Sequence, residues 1–387
     1  MRIAVVVHTL KMGGMERVAT SLADAIVQSG HACDLIYLKD RKVELKPNNE
    51  VPIHLFDLKR AVLKKIHGPL WFLGSKVLNA IFRKSNLLWF NRLEAKEFEV
   101  KLKALEVKNG AAFDLIIFRG QGTFEHVWAL NDPRFVFVCE NVQRKFMYKG
   151  FSRKVFHSLF DQRNVACVSN GALESFLDMA KTHSLAHKKA IMLSNPCDYN
   201  YIRQSSLDKD PVHSKPFILG LGRLVHQKNF SLLIEAFAIA RSNYQVEHDL
   251  LIVGSGPDET IIRKKVDELD LNSYVHFKGS TSEPFHYYEQ SDLYVLSSKH
   301  EGLGMVLLEA LAVDTKVIAT DSPGGVRQIM NGELEPFLSK MTPDALAEKM
   351  AFALSFQETP EYSKDVERVL SQFDSLKVVE KYIEEFV

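Results

Sequence analysis

The sequence predicts an α/β protein built as two doubly wound halves, and three observations carry that expectation. Short apolar runs alternate with helix-period stretches, which implies parallel strands joined by crossover helices. The alternation stops once, at a polar segment, and then begins again. A chain of 387 residues is also longer than one hydrophobic core usually serves.

The first series opens with IAVVV (3–7) as a strand, followed by ERVATSLADAIVQSG (16–30) as a helix with a glycine stop. CDLIYL (33–38), FDLIIF (113–118), FVFVCE (135–140) and VACVS (165–169) read as further strands, and NGALESFLDMA continues the last as a helix. The polar stretch NPCDYNYIRQSSLDKDPVHSKP (195–216), with three prolines, reads as the interdomain connection. A second series follows: FILGLG (217–222), a helix over 230–242, DLLIVG (249–254), a helix over 258–269, VHFKG (275–279), LYVLS (293–297), a helix after 301 and KVIATD (316–321). A final helix spans roughly 374–387. The expected division is a Rossmann-like domain over 1–197, with an excursion at 59–108 and a closing helix at 372–387, and a second Rossmann-like domain over 213–371. In such folds ligands sit beyond the carboxyl ends of the strands.

Composition narrows the class. The net charge of +1 gives no support to a general nucleic-acid polyelectrolyte role, so no nucleic-acid partner is expected. Cys33, Cys139, Cys167 and Cys197 are widely spaced and form no CxxC pair, which fits a reducing compartment and offers neither a disulfide framework nor a zinc motif. MRIAVVVHTL runs straight into GGMER with no cleavage-like site, so it reads as a first strand and not a signal peptide. No run approaches the roughly 18 apolar residues of a membrane span. The expectation is a cytoplasmic protein, soluble or peripheral on the inner face of the membrane.

Residues 59–92 stand apart, with eight Lys or Arg, no Asp or Glu, and Trp71, Phe72, Phe82, Trp89 and Phe90 interleaved. Such a stretch suits an anionic membrane surface or an acidic lipid-linked glycan. The alternative is a surface helical excursion whose aromatics pack on the domain.

Three motifs carry the chemistry. GGMER (13–17) follows the first strand and opens a helix, where Gly13 and Gly14 let the backbone approach an anion. GRLVHQKNF (222–230) puts Arg223 and Lys228 just past a strand, beside Gly222; a guanidinium fork and an ammonium point charge suit a diphosphate. EGLGMVLLEALAV (301–313) places Glu301 ahead of Gly302, Leu303 and Gly304 at a helix start, and Glu309 in a helix otherwise apolar from Met305 to Val313. A carboxylate there needs a partner: either a hydroxyl pair such as a ribose or a basic residue of an adjoining helix. SPGGVRQI (322–329) repeats the strand, Gly-Gly, helix pattern. GLGRLV (220–225) and GSGPDE (254–259) lack the third glycine of a dinucleotide fingerprint, and DKD (208–210) in the polar linker reads as solvated.

Taken together, GGMER, GRLVHQKNF, the E-x7-E pair of EGLGMVLLE and SPGG resemble glycosyltransferase family 4, in the family's order and spacing. The resemblance implies the GT-B fold, two Rossmann-like domains facing a central cleft with the C-terminal helix crossing back to the first domain. It implies a retaining glycosyltransferase that uses a nucleotide sugar, here a UDP-sugar, to extend a lipopolysaccharide core, O-antigen or similar surface glycan, with neither cofactor nor metal. Gly13, Gly14, Gly222, Gly302, Leu303, Gly304, Met305 and Glu309 would hold the donor, with Glu309 on the ribose. Arg223, Lys228 and Glu301 would be catalytic, the two cations on the leaving diphosphate and Glu301 on the donor sugar hydroxyls. Arg17 and Glu140 are the acceptor-side expectations. Departures from the pattern are Glu140 and FRGQG (118–122), where relatives carry histidine, and Gln328, where glutamate is common; Glu140 would bind the acceptor, assist deprotonation or serve the structure. The competing readings are transfer to a small soluble acceptor, an inverting relative, a non-catalytic nucleotide-sugar binder and, from another class, a nicotinamide-dependent oxidoreductase.

Overall fold

The computed structural model of the chain describes residues 1–82, 88–143, 151–207 and 209–387. The chain divides into two compact units, Met1–Pro196 with Ser375–Val387, and Cys197–Asp374. All but the first two residues of the 195–216 stretch, read from sequence as connection, therefore belong to the second unit. Asp208 of the DKD motif, with Arg83 and Lys84 of the basic stretch, lies outside the described residues.

The first unit is a parallel sheet of seven strands: β1 (Arg2–Val7), β2 (Ala32–Tyr37), β3 (Ile53–Leu55), β4 (Leu115–Arg119), β5 (Phe135–Cys139), β6 (Asn164–Cys167) and β7 (Lys189–Met192), in the order β3-β2-β1-β4-β5-β6-β7. β4 and β5 are buried at every residue, because helices cover both faces; this is why they read as unbroken apolar runs. The β5–β6 register sets Cys139 opposite Cys167, both buried free thiols. A ladder of aromatic side chains fills one face: Phe118 lies 4.8 Å from Phe135 and 5.4 Å from Phe137, and Phe124 stacks on Phe137 at 4.6 Å.

The excursion folds as helices Leu58–Leu63, Gly68–Phe82 and Leu88–Asn109. The last presents Phe90, Ala95, Phe98, Leu102 and Leu105 at helical spacing, all buried, and Phe98, Leu102 and Leu105 join the aromatic core. The segment's aromatics therefore divide. Phe72 packs edge-on against Phe90 at 5.2 Å, while Leu70, Trp71 and Leu73 of the middle helix remain exposed.

The second unit is a parallel sheet of six strands, β8 (Phe217–Leu221), β9 (Asp249–Val253), β10 (Val275–Gly279), β11 (Leu293–Leu296), β12 (Val317–Thr320) and β13 (Leu338–Ser339), ordered β10-β9-β8-β11-β12-β13. Before β8 lies a helix that polarity and proline had hidden, Tyr199–Ser206, capped by the Asp198 carboxylate accepting from the Tyr201 amide at 3.0 Å. Its Arg203 donates to the Ala312 carbonyl at 2.8 Å and pairs with Glu367 at 2.5 Å, fastening the helix within this unit.

The helix Ser375–Phe386 packs on helix Gly14–Gln28 of the first unit, and Lys189 pairs with Glu385 at 2.6 Å. Where the chain enters and leaves the second unit, Cys197 donates its amide to the Phe373 carbonyl at 2.8 Å. No described helix is long and apolar enough to cross a membrane.

Candidate functional site

Both sheets reverse their strand order at one point, between β1 and β4 in the first unit and between β8 and β11 in the second. The loops leaving neighbouring strands diverge at such a point, so the crevice beyond the carboxyl ends is the expected ligand position. Lys228 lies in the loop after β8 and Glu301 in the loop after β11. Although 73 residues apart in sequence, they meet, with Lys228 Nζ 2.7 Å from Glu301 Oε1. Three further hydrogen bonds stitch the two loops together. Ser297 Oγ donates to the Lys228 carbonyl at 2.9 Å, the Lys299 amide to the Gln227 carbonyl at 2.8 Å, and Gln227 Nε2 to the His300 carbonyl at 2.9 Å.

Glu301 is only 7% exposed, so its charge depends on the lysine beside it. Arg223, from the same loop as Lys228, is exposed and forms no ion pair among the described residues. One cation is thus already held by protein and the other is available to a ligand.

Gly304, at φ +97°, caps the helix Met305–Ala312, and only a residue tolerant of the left-handed region serves there. Gly302, Leu303 and Gly304 are buried beneath this turn and Met305 begins the helix. The second Gly-Gly has a packing reason. A Cβ on Gly324, itself at φ +121°, would stand 1.7 Å from the Glu301 carbonyl oxygen, so that glycine lets the 322–325 loop pack against the 301–304 loop. In the same way, a Cβ on Gly254 would stand 1.9 Å from the Gly222 carbonyl oxygen, which explains the incomplete GSG fingerprint as loop packing.

Glu309 accepts from Tyr288 Oη at 3.2 Å and is half-buried. Tyr288 lies edge-on to Tyr294 at 5.1 Å. Burial first, then the charges of Glu301 and Glu309, hold the Tyr294 phenol well above its usual range, so the two acids of the E-x7-E pair share one buried tyrosine as neighbour.

In the first unit, Gly13 caps helix Gly14–Gln28 in extended backbone, and its missing side chain makes room for Glu16, whose carboxylate accepts from Thr9 Oγ1 at 2.9 Å. Gly14 is different, because a Cβ there would meet nothing within 4 Å. Arg17 donates its amide to the Gly13 carbonyl at 3.0 Å, in the first turn. Glu140 follows β5 and pairs at 2.7 Å with Arg119, the last residue of β4, which is fully buried and also donates to Asn195 Oδ1 at 2.5 Å. Burial pushes the Glu140 carboxyl above its ordinary range, with Arg119 and Asn195 pulling the other way. Burial likewise raises the Tyr382 phenol of the closing helix to about 12, with Arg119 again opposing. Of the three roles left open for Glu140 by the sequence, the ion pair favours the structural one.

Two histidines escaped the sequence reading. His8, just past β1, stacks on His126 at 5.5 Å, and His126 Nδ1 lies 2.7 Å from Glu94. Burial first, then the nearby His126 and Lys39, depress His8 to about 4, so it is neutral at physiological pH. Its Nδ1 is buried without a hydrogen-bond partner among the described residues. No spacing rule links positions 8 and 126; the β1–β4 pairing, Val6 opposite Phe118, brings them together.

Comparison with known proteins places this geometry in context. Residues 203–368 match the family described as Glycosyl transferases group 1, a span that contains Gly222, Arg223, Lys228 and the 301–309 motif. The chain is 32% identical over 165 residues to the N-acetylgalactosamine-N,N'-diacetylbacillosaminyl-diphospho-undecaprenol 4-alpha-N-acetylgalactosaminyltransferase of Campylobacter jejuni, covering 43% of each chain. It is 33% identical over 118 residues to the lipopolysaccharide core biosynthesis glycosyltransferase LpsE of Rhizobium meliloti, covering 30% of this chain and 33% of LpsE. The matched stretch thus spans less than half of these curated relatives. Over the whole chain, the fold is similar to Anabaena Alr3699/HepE in complex with UDP and glucose, with a TM-score of 0.70, 17% identity, and 99% of this chain and 98% of that one covered. Trehalose-6-phosphate synthase OtsA superposes with a TM-score of 0.72 at 11% identity, covering 100% and 99%.

Proposed function

We propose that this chain, a GT-B fold whose second unit carries the group 1 glycosyl transferase match, is a retaining glycosyltransferase acting on a UDP-sugar and a bacterial surface glycan or its lipid-linked precursor. The observation that carries the reading is the Lys228–Glu301 pair at the β8/β11 reversal, inside the matched span. The UDP complex of HepE and the undecaprenol-linked and lipopolysaccharide names of the sequence relatives support the donor and acceptor classes.

In this reading the diphosphate lies by Arg223 and Lys228 and by the amide donors at the start of helix Met305–Ala312. Glu301 orients Lys228 in the free protein and accepts donor sugar hydroxyls in the complex. The acceptor hydroxyl attacks the anomeric carbon on the face from which the diphosphate departs. A diphosphate oxygen takes the acceptor proton, so no protein nucleophile is required. Lys228 and Arg223 stabilise the negative charge that grows on the leaving group.

Hydrolysis of UDP-, GDP- and ADP-sugars by the purified chain tests the donor class, with turnover expected for a UDP-sugar. Glu309→Ala is expected to weaken UDP binding roughly ten- to hundredfold, the worth of a charge-assisted hydrogen bond to the ribose. Titration calorimetry reads the change, and an unaltered affinity would remove the ribose assignment.

The exposed face of helix Gly68–Phe82 supports membrane contact. Leu70 is 71% and Trp71 52% exposed, and Lys59 and Lys76 lie 4.6 and 4.7 Å from the Phe72 ring, where their charges border the apolar face. Lys65 is already engaged by Glu97. Lys64→Ala with Lys76→Ala is expected to loosen binding to phosphatidylglycerol vesicles by about thirtyfold, at ~1 kcal/mol for each lysine near an anionic surface. Wild-type protein that floats free of such vesicles at low salt would end the membrane assignment.

A further inference from the structure

At the opposite, amino ends of β9 and β10, three side chains that the transferase reading does not use converge. Asp249 opens β9 and is 2% exposed; His276 is the second residue of β10, and His213 comes from the segment leading into β8. His213 Nε2 lies 2.8 Å and His276 Nε2 3.2 Å from the same oxygen, Asp249 Oδ2, and all three donor atoms fall within 4.8 Å of one another. The second carboxylate oxygen, Oδ1, is buried with no hydrogen-bond partner among the described residues. The Asp249 amide is held by the Pro216 carbonyl at 3.1 Å, and Lys278 Nζ donates to the Val212 carbonyl at 3.0 Å, so backbone on both sides of the cluster is fixed.

We propose that His213, Asp249 and His276 form a site for a first-row divalent transition metal, with zinc the natural probe. Two imidazole nitrogens and one carboxylate oxygen are a donor set for Zn²⁺, Co²⁺ or Ni²⁺ and a poor one for Mg²⁺ or Ca²⁺. Bonds of about 2.0–2.1 Å in a tetrahedron set ligand atoms roughly 3.3 Å apart; the two nitrogen–oxygen separations are close to that, and the two imidazole nitrogens, within 4.8 Å of each other, would settle to it as the metal binds. Both imidazole nitrogens face Oδ2, which is the oxygen a metal would take. Lys215 Nζ stands 3.9 Å from Oδ2 on a largely exposed side chain and can withdraw when the metal arrives. The half-buried His276 leaves solvent access for a water as fourth ligand. The metal would clip the segment entering β8 to the edge strand β10. It is separated from Lys228 and Glu301 by the length of the strands, roughly 15 Å at ~3.3 Å per residue, and takes no part in sugar transfer.

The test is zinc titration of the full chain, followed by calorimetry and by the thermal midpoint, neither of which requires transferase activity. One equivalent of Zn²⁺ is expected to bind and raise the midpoint, and Co²⁺ is expected to give the visible absorption of a tetrahedral site. His276→Asn, at a half-exposed position that leaves the fold intact, is expected to weaken zinc binding at least a hundredfold. His67→Asn, at an exposed remote histidine, is expected to leave it unchanged. Zinc binding that is absent in the wild type, or equally tight in His276→Asn and in His213→Asn, would overturn the proposal and leave the triad as hydrogen bonds alone.

Discussion

Lys228→Ala is expected to lower the rate of sugar transfer about 100- to 1,000-fold, the usual loss when one group stabilising transition-state charge is removed. The physical ground is the position of the ammonium, fixed by Glu301 at 2.7 Å and by the bond from Ser297 to its own carbonyl. Such a group need not reorganise as charge moves onto the diphosphate. Turnover should fall further than affinity for the intact donor, because the donor gains charge at the bridging oxygen only as the bond breaks. The substitution also strands the buried Glu301 carboxylate, at about 1–3 kcal/mol. Lys228→Met with Glu301→Gln removes the stranded charge and is expected to restore the thermal midpoint, which measures the stability part of the loss on its own. Single-turnover assays of Lys228→Ala at near wild-type rate would remove the lysine from the mechanism.

The largest stability effect is expected at Arg119. Arg119→Met leaves Glu140 buried beside Asn195 without its cation, and breaking a buried pair in this way costs about 3–5 kcal/mol. Adding Glu140→Gln removes the stranded charge and should recover most of the loss. Urea unfolding of the three proteins measures this directly. If Arg119→Met unfolds at the wild-type midpoint, the pair is not structural, and Glu140 returns as a candidate for acceptor binding.

The sequence showed most of the fold because its central strands are covered on both faces. IAVVV, FDLIIF, FVFVCE and DLLIVG carry no polar face to blur the pattern, and each became a buried strand within two residues of its expected ends. The two-unit α/β expectation held for the same reason. β3, β7 and β13 went unread because three, four and two residues are too few to establish a period. The helix Tyr199–Ser206 was hidden among polar residues, although Asp198 followed three residues later by its amide donor was a cap signal. Leu88–Asn109 was read only as part of an excursion because its outward residues are charged, while the Phe98, Leu102 and Leu105 spacing that drives it into the core was legible.

The site was legible unevenly. Motifs supplied Lys228, Glu301 and Glu309, and the β8–β11 adjacency supplied the reason that the first two meet. Close backbone packing gives Gly254 and Gly324 their reason, and it depends on neighbours that no local pattern contains. Arg119, His8 and His126 gave no warning at all, since each owes its role to a partner reached through strand pairing.

The closing helix Ser375–Phe386 has a consequence for folding. Cys197–Asp374 is one uninterrupted stretch, whereas the first unit takes the buried Tyr382 from a segment on the far side of it. The first unit is therefore discontinuous, and the contact that covers Gly14–Gln28 spans the whole second unit in sequence, a long loop closure of the kind that slows folding.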